Sequence, residues 1–258
     1  MWAMRIVTWN VNSLRARLPR VLELLHEHAP DVACLQETKV TPDTFPTDEL
    51  GAAGYQAVHN SAGQWSGVAI LARHGLELAD PVLGLPDDPV PGEARWSEAT
   101  VDGIRFASVY VPNGRSLDSP EYPRKLAFLD AMAARAAQLG PERLIIAGDM
   151  NIAPADADVY DPAAFVGGTH VSAPERAHLE ALRELGLSDA YRTLHPDEVQ
   201  YTWWDYRAGH FHKGFGLRID LLLVGSELGP RVTSCGIARD YRKGKKPSDH
   251  APLLLELA

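Results

Sequence analysis

Short apolar runs recur along this chain, each four to seven residues long and closed by Gly, Pro, Asn or Asp. Seven of them read as strands: Arg5–Trp9, Val32–Leu35, Val68–Leu71, Arg105–Val111, Arg143–Ala147, Ile219–Val224 and Pro252–Leu257. They are rich in Val, Ile and Leu, as strands covered on both faces tend to be. Three other segments place apolar residues three and four positions apart, the period of a helix with one buried face. Leu18, Val21, Leu22, Leu25 and Ala29 form the first stripe, and Leu126, Leu129, Met132, Ala133 and Ala136 the second. Leu179, Leu182 and Leu185 form the third, and Ser172 with Glu175 three residues on predicts a capping box ahead of it. Lys39–Gly54 and Asp80–Gly92 are rich in Pro and Asp and read as loops, not as interdomain linkers. Strands outnumber helices, which favours a two-sheet sandwich with helices outside over a doubly wound sheet. One domain spanning residues 1–258 is expected.

Polar residues fall at the ends of those runs. Asn10 closes IVTWN, Glu37 closes ACLQE, and Tyr110 lies near the end of ASVYVPN. Asp149 and Asn151 end LIIAGDMN, Asp220 opens the run DLLLV, and Asp249 and His250 precede the last strand. Groups at strand ends can converge on one rim while the apolar runs fill the core. Oxygen donors from Glu, Asp and Asn suit a hard cation such as Mg²⁺. His and Asp can move protons, while Tyr and Asn can donate hydrogen bonds to phosphoryl oxygens. Such a set suits metal-assisted hydrolysis of a phosphoester. Each element alone is common on a solvated surface; the conjunction carries the signal.

That conjunction has a known counterpart. WNVNSLRAR at Trp9–Arg17, LQETK at Leu35–Lys39, GDMN at Gly148–Asn151, RIDLLL at Arg218–Leu223 and KPSDHAP at Lys246–Pro252 occur in this order. Together they resemble the exodeoxyribonuclease III family of apurinic/apyrimidinic endonucleases, within the endonuclease/exonuclease/phosphatase fold group. YTWWDYR at Tyr201–Arg207 resembles the DNA-repair branch rather than the phosphatase branches. The resemblance implies an α+β fold, a four-layer αββα sandwich of two mainly antiparallel sheets flanked by helices.

It also implies roles at the matching positions. Glu37 would be the direct Mg²⁺ ligand, with Asn10 and Asp249 in support, and Asp149, Asn151 and His250 at the same ion; Mn²⁺ would be a possible substitute. Asp149 would orient or deprotonate the attacking water, Asn151 would hydrogen-bond the phosphoryl oxygens, and Tyr110 would contact the phosphate or a metal-bound water. His250 would act at the scissile phosphate, its tautomer held by Asp220. Trp203 would pack on the base-free sugar, with Leu217 and Ile219 completing an apolar wall, and Asn113 would bind a backbone phosphate. Arg15, Arg17, Lys39, Arg115 and Arg124 are candidate phosphate contacts, and so is the run Lys243, Lys245 and Lys246. Two departures stand out: Asn12 where some relatives carry Asp, and a loop VPNGRSLDSPEY in which Arg115 need not match the arginine that some relatives insert into DNA. They leave the balance between endonuclease and exonuclease activity open.

The implied activity is a Mg²⁺-dependent DNA repair nuclease that cuts 5′ to abasic sites and leaves a 3′-hydroxyl, with 3′→5′ exonuclease and 3′-end trimming activity on duplex DNA. A same-fold phosphatase acting on a small substrate is the enzymatic rival; a silent nucleic-acid-binding regulator is the other. Composition adjusts this picture little. The 258 residues carry a formal charge of −9, which argues against sequence-blind wrapping of DNA but permits a locally basic cleft. No apolar run approaches the ~18 residues a membrane helix needs, and no signal-peptide apolar region follows Met1. Two cysteines cannot form a disulfide framework, and Cys34 in VACLQ reads as an inert core residue. His210 and His212 lie in a Gly-rich stretch without carboxylate company and read as an exposed loop. A cytoplasmic monomer whose partner is duplex DNA with abasic sites or 3′ ends, and no membrane, is the expectation.

Overall fold

In the computed structural model, which describes residues 3–258, the apolar runs align into two six-stranded sheets. Met1 and Trp2, which open the stretch read as lacking a signal-peptide region, lie outside the described residues. The strands are β1 (Met4–Asn10), β2 (Val32–Gln36), β3 (Tyr55–Asn60), β4 (Val68–Arg73), β5 (Leu78–Leu83), β6 (Trp96–Val101), β7 (Ile104–Tyr110), β8 (Leu144–Asp149), β9 (Ser188–Asp189), β10 (Asp220–Val224), β11 (Val232–Ile237) and β12 (Leu253–Leu257). The helices are α1 (Leu14–His28), α2 (Thr47–Ala52), α3 (Glu121–Leu139), α4 (Ala173–Glu184), α5 (Ala190–Leu194) and α6 (His210–Lys213). One sheet runs β11-β12-β1-β2-β4-β3 and the other β5-β6-β7-β8-β10-β9. The pairs β1–β2 and β7–β8 are parallel, connected through α1 and α3, and the remaining ladders are antiparallel.

Three apolar layers hold these elements together. Ile6, Val32, Ile70, Phe106, Ile145 and Leu222 meet between the sheets. Leu129, Met132 and Leu182 cover the outer face of the second sheet, and Val21, Leu24 and Leu25 cover the first. The result is the expected αββα sandwich, with strands buried on both faces where the sequence is continuously apolar. The predicted capping box is present, Ser172 Oγ accepting from Glu175 N at 3.4 Å and Glu175 Oε2 from Ser172 N at 2.9 Å.

Strands β3, β5, β6, β9 and β11 had no clear sequence signal, for identifiable reasons. Strand β5 carries Pro81 inside the stretch read as a loop, which an edge strand tolerates because one side needs no ladder donor. Strand β6 buries Glu98, whose carboxylate is met by Trp96, Arg105 and Arg135, so a polar letter interrupts a fully covered strand. Strands β3 and β11 sit at sheet edges and are of mixed polarity. The segment Lys39–Gly54, also read as a loop, contains α2 and a 3₁₀ turn at Pro42–Thr44.

Register brings the polar strand ends together. Tyr110, Asp149 and Asp220 lie side by side across β7, β8 and β10. Asn10 ends β1 opposite Gln36, one residue before Glu37. Residue 148 must be glycine at this junction: a Cβ there would lie 2.0 Å from the Val109 carbonyl oxygen of β7. Only without a side chain can β8 approach β7 closely enough to set Asp149 beside Tyr110.

Candidate active site

Glu37, Tyr110, Asn113, Asp149, Asn151, His170, Trp203, Ile219, Asp249 and His250 line one cleft of about 180 Å³ at this rim. Ligand atoms of Glu37, Asp149 and His250 lie within 4.8 Å of one another. Asn10 Nδ2 donates to Glu37 Oε1 at 2.8 Å and to Asp149 Oδ2 at 2.9 Å, while its Oδ1 accepts from Asn12 N at 3.0 Å. Asn10 therefore bridges two carboxylates. Lys39 Nζ lies 2.7 Å from Glu37 Oε2 and donates to Asn12 Oδ1 at 2.5 Å. The rim is also conformationally strained: Asn12, Glu37, Lys39, Arg115, Asn151 and His170 all hold a left-handed backbone without being glycine. Such residues cluster where surrounding structure enforces a functional geometry.

Protonation follows from burial and from the crowding of charge. His250 Nδ1 donates to Asp220 Oδ2 at 2.8 Å, and its Nε2 lies 3.7 Å from Asp149 Oδ2. Burial pulls the imidazole down, but Asp220, Asp149 and Asp249 outweigh it and push His250 up to about 10. In that protonated form both ring nitrogens of His250 are hydrogen-bond donors, Nδ1 to Asp220 and Nε2 toward Asp149. Asp149 is pushed up to about 7 by burial, with Asp220 and Glu37 adding to it and His250 opposing. Burial first, then Glu37, holds Tyr110 well above its ordinary value, so the phenol stays protonated.

Asn151 is tightly held. Its backbone N donates to Asp149 Oδ1 at 2.9 Å, its Nδ2 to Val111 O at 2.9 Å, and its Oδ1 accepts from Asn113 Nδ2 at 3.2 Å. The amide oxygen is thus engaged, and one N–H of the amide remains for the cleft. Asp249 lines the same cleft but stands outside the tight triad, its oxygens accepting from Trp203 Nε1 at 3.1 Å and Asn12 Nδ2 at 3.0 Å. Glu37 and Asp149 are hard oxygen donors on one wall, a set that fits a small cation keeping several waters.

The residues expected to meet DNA divide. Trp203 is half-buried at the cleft, its backbone paired with Leu217 and bridged to His250. Leu217 is fully buried and has no surface to offer, because its side chain packs with Ala153, Val159 and Ile219; Ile219 reaches the cleft instead. Asn113 and Arg115 face a neighbouring groove of about 460 Å³ that also holds Trp65, which is 76% exposed. Arg17 is committed to Asn12 O and Tyr206 Oη, Lys39 to Glu37, and Arg124 to Glu121. Those three are parts of the scaffold first. Cys34 is buried in the core, where burial pushes its thiol up to about 12. His210 and His212 form a single turn, α6, rather than a loop.

Two features escaped the sequence reading. His170 sits in the cleft wall with Nδ1 2.6 Å from Asn151 O, and burial, aided by Lys125, brings it down to about 4, so it is a neutral imidazole. Its segment, THVS, has no periodicity to announce it. Behind it lies a fully buried pair, Lys125 with Glu175. Its signal was present: Lys125 stands four residues before Leu129 on the apolar face of α3.

A sandwich whose rim gathers two carboxylates, a charged histidine and amide donors defines a phosphoester-hydrolase scaffold. The sequence pattern of the Endonuclease/Exonuclease/phosphatase family matches residues 7–250, and the chain belongs to that family. It is 31% identical to exodeoxyribonuclease III of Haemophilus influenzae, over 98% of this chain and 99% of that protein. Among solved structures, a 3′ phosphatase (NExo) from Neisseria bound to a product DNA hairpin superimposes with a TM-score of 0.96 at 39% identity, covering 99% of both chains. An AP endonuclease from Archaeoglobus fulgidus gives 0.93 at 35% identity, covering 98% of both.

Proposed function

We propose that this protein is a Mg²⁺-dependent DNA repair nuclease that hydrolyses the phosphodiester 5′ to an abasic site, leaving a 3′-hydroxyl, and that also processes 3′ ends. One observation carries the reading: Glu37, Asp149 and His250 meet in a single cleft with Tyr110, Asn151 and Trp203 on its walls. When bound to Glu37 and Asp149, the metal ion would neutralise phosphoryl charge and assist the departing 3′ oxygen. The chain supplies the rest. Asp149, poised near neutrality, accepts the proton of the attacking water. His250, kept cationic by Asp220, donates to a phosphoryl oxygen, and Asn151 and Tyr110 add neutral donors where charge builds. Trp203 and Ile219 give the base-free sugar an apolar wall. The reading includes one catalytic domain acting as a monomer. It also places the protein in a reducing, cytoplasmic setting, which two buried free thiols suit.

A second reading gives 3′-end processing the larger share. The cleft is small, with His170 on its wall, and a terminal phosphate or nucleotide needs less room than an internal flipped-out sugar. Two neighbours at 39% identity are a 3′ phosphatase and a 3′–5′ exonuclease, which supports it. The deciding experiment compares a duplex bearing one internal abasic analogue with a nicked duplex bearing a 3′-phosphate, in Mg²⁺ and after exhaustive EDTA treatment. Metal-dependent incision 5′ to the lesion supports the first reading, and release of phosphate with no incision supports the second. Turnover that survives EDTA, or that Asp149→Ala leaves unchanged, would overturn both.

A further inference from the structure

We propose that Lys125 and Glu175 are positioning residues for catalysis: one buried ion pair ties three rim segments, at Asn113, Asn151 and His170, to helices α3 and α4. The inference rests on Asn151 being a phosphoryl donor. Lys125 Nζ donates to the main-chain oxygen of Asn151 at 2.7 Å and of Asn113 at 3.3 Å, and its remaining hydrogen faces Glu175 Oε1 at 2.5 Å. No backbone N–H reaches either carbonyl among the described residues. These are the two residues whose side-chain amides meet in the cleft. Glu175 completes the clamp on the other side. Its Oε1 also accepts from Thr169 Oγ1 at 2.7 Å and from His170 N at 3.0 Å, and His170 in turn meets Asn151 O.

Stability is a poor explanation for this pair. Both side chains are fully buried, and taking two ions out of water costs several kcal/mol each before attraction offsets it. Apolar residues of similar volume hold helices together as well or better. What they cannot do is hold two loop carbonyls in place while one of the residues, Asn151, sits in a left-handed conformation. The capping box at Ser172 therefore reaches beyond its own helix: the same carboxylate that caps α4 anchors the cleft wall.

The test uses the full chain with Lys125→Met/Glu175→Gln and, as a milder variant, Thr169→Val, alongside wild type and Asn151→Ala. DNA cleavage in Mg²⁺ is measured together with thermal melting. In the folded double variant kcat is expected to fall roughly 10- to 100-fold, the scale of an ångström-sized misplacement, with KM within about 3-fold. Thr169→Val should fold normally and lose several-fold in kcat at constant KM. A purely structural pair would instead lower the melting temperature and leave kcat per folded molecule intact. Wild-type kcat in Thr169→Val, or in a folded double variant, overturns the inference. Should wild type itself not cleave, or Asn151→Ala cleave normally, it is the functional reading that fails.

Discussion

At the scale of single residues, the cleft is governed by charge held out of water. Asp149 and His250 are both displaced upward, and their displacements act on stability in the same direction. An acid whose folded pKa is raised stabilises the protein while protonated, an effect lost as pH climbs through about 7 for Asp149. A histidine whose folded pKa is raised contributes fully below its ordinary 6.5 and loses that contribution as pH climbs through about 10. The metal-free protein should therefore melt at progressively lower temperature between pH 6 and 10. Asp220→Asn should flatten that decline, because it removes the strongest influence raising His250; melting curves in EDTA across that range check both. Asp149→Ala should lower kcat by about 10²–10⁴-fold, the usual worth of a positioned base, in a single-turnover cleavage assay.

At the scale of elements, the site depends on how closely two strands approach. Gly148 lets β8 lie against Val109 of β7, one residue before Asp149 of the cleft. Gly148→Ala should cost about 1–3 kcal/mol, the range for overpacking, measured as a shift in the denaturant midpoint. It should also reduce cleavage beyond the loss of folded protein, because moving the strands apart separates Tyr110 from Asp149. Elements also set the limits of sequence reading. The seven apolar runs appear as strands because continuous burial leaves a continuous apolar record. Strands β5 and β6 stayed hidden, one by an edge proline and the other by a buried carboxylate whose partners are Trp96, Arg105 and, from helix α3, Arg135. In the same way Lys125, one residue before the apolar stripe read on α3, carries no local sign that it is the end of a clamp.

At the scale of the molecule, an acidic protein must meet an acidic polymer. With a net charge of −9, affinity for DNA must come from few phosphate contacts near the cleft, so its salt dependence should be shallow. Arg115 is exposed beside Asn113 and is the clearest of them, since Arg17 and Arg124 are already engaged within the chain. Arg115→Ala should weaken DNA binding about equally across sequences and reduce the slope of log affinity against log salt by about 0.9, measured by fluorescence anisotropy. Metal should act on the whole fold as well. Because Glu37 and Asp149 come from different sheets and meet only when both are in place, a bound cation stabilises the native state alone. Mg²⁺ should raise the melting temperature, and Glu37→Gln should abolish most of that rise.

The sequence alone determined the sandwich class, the three amphipathic helices and most of the polar residues of the cleft. Those features are written locally, as a period of burial or as a polar residue at a strand end. Only the tertiary structure decided what each polar residue does. Asn10 bridges carboxylates, His250 pairs with Asp220, Leu217 lies inside the protein, and His170 enters the cleft. Such outcomes depend on neighbours far along the chain, as with Asp149, 139 positions from Asn10, or Asp220, 30 positions from His250. Hydrogen bonding and desolvation act through space, and no spacing along the chain encodes which groups will share a site out of water.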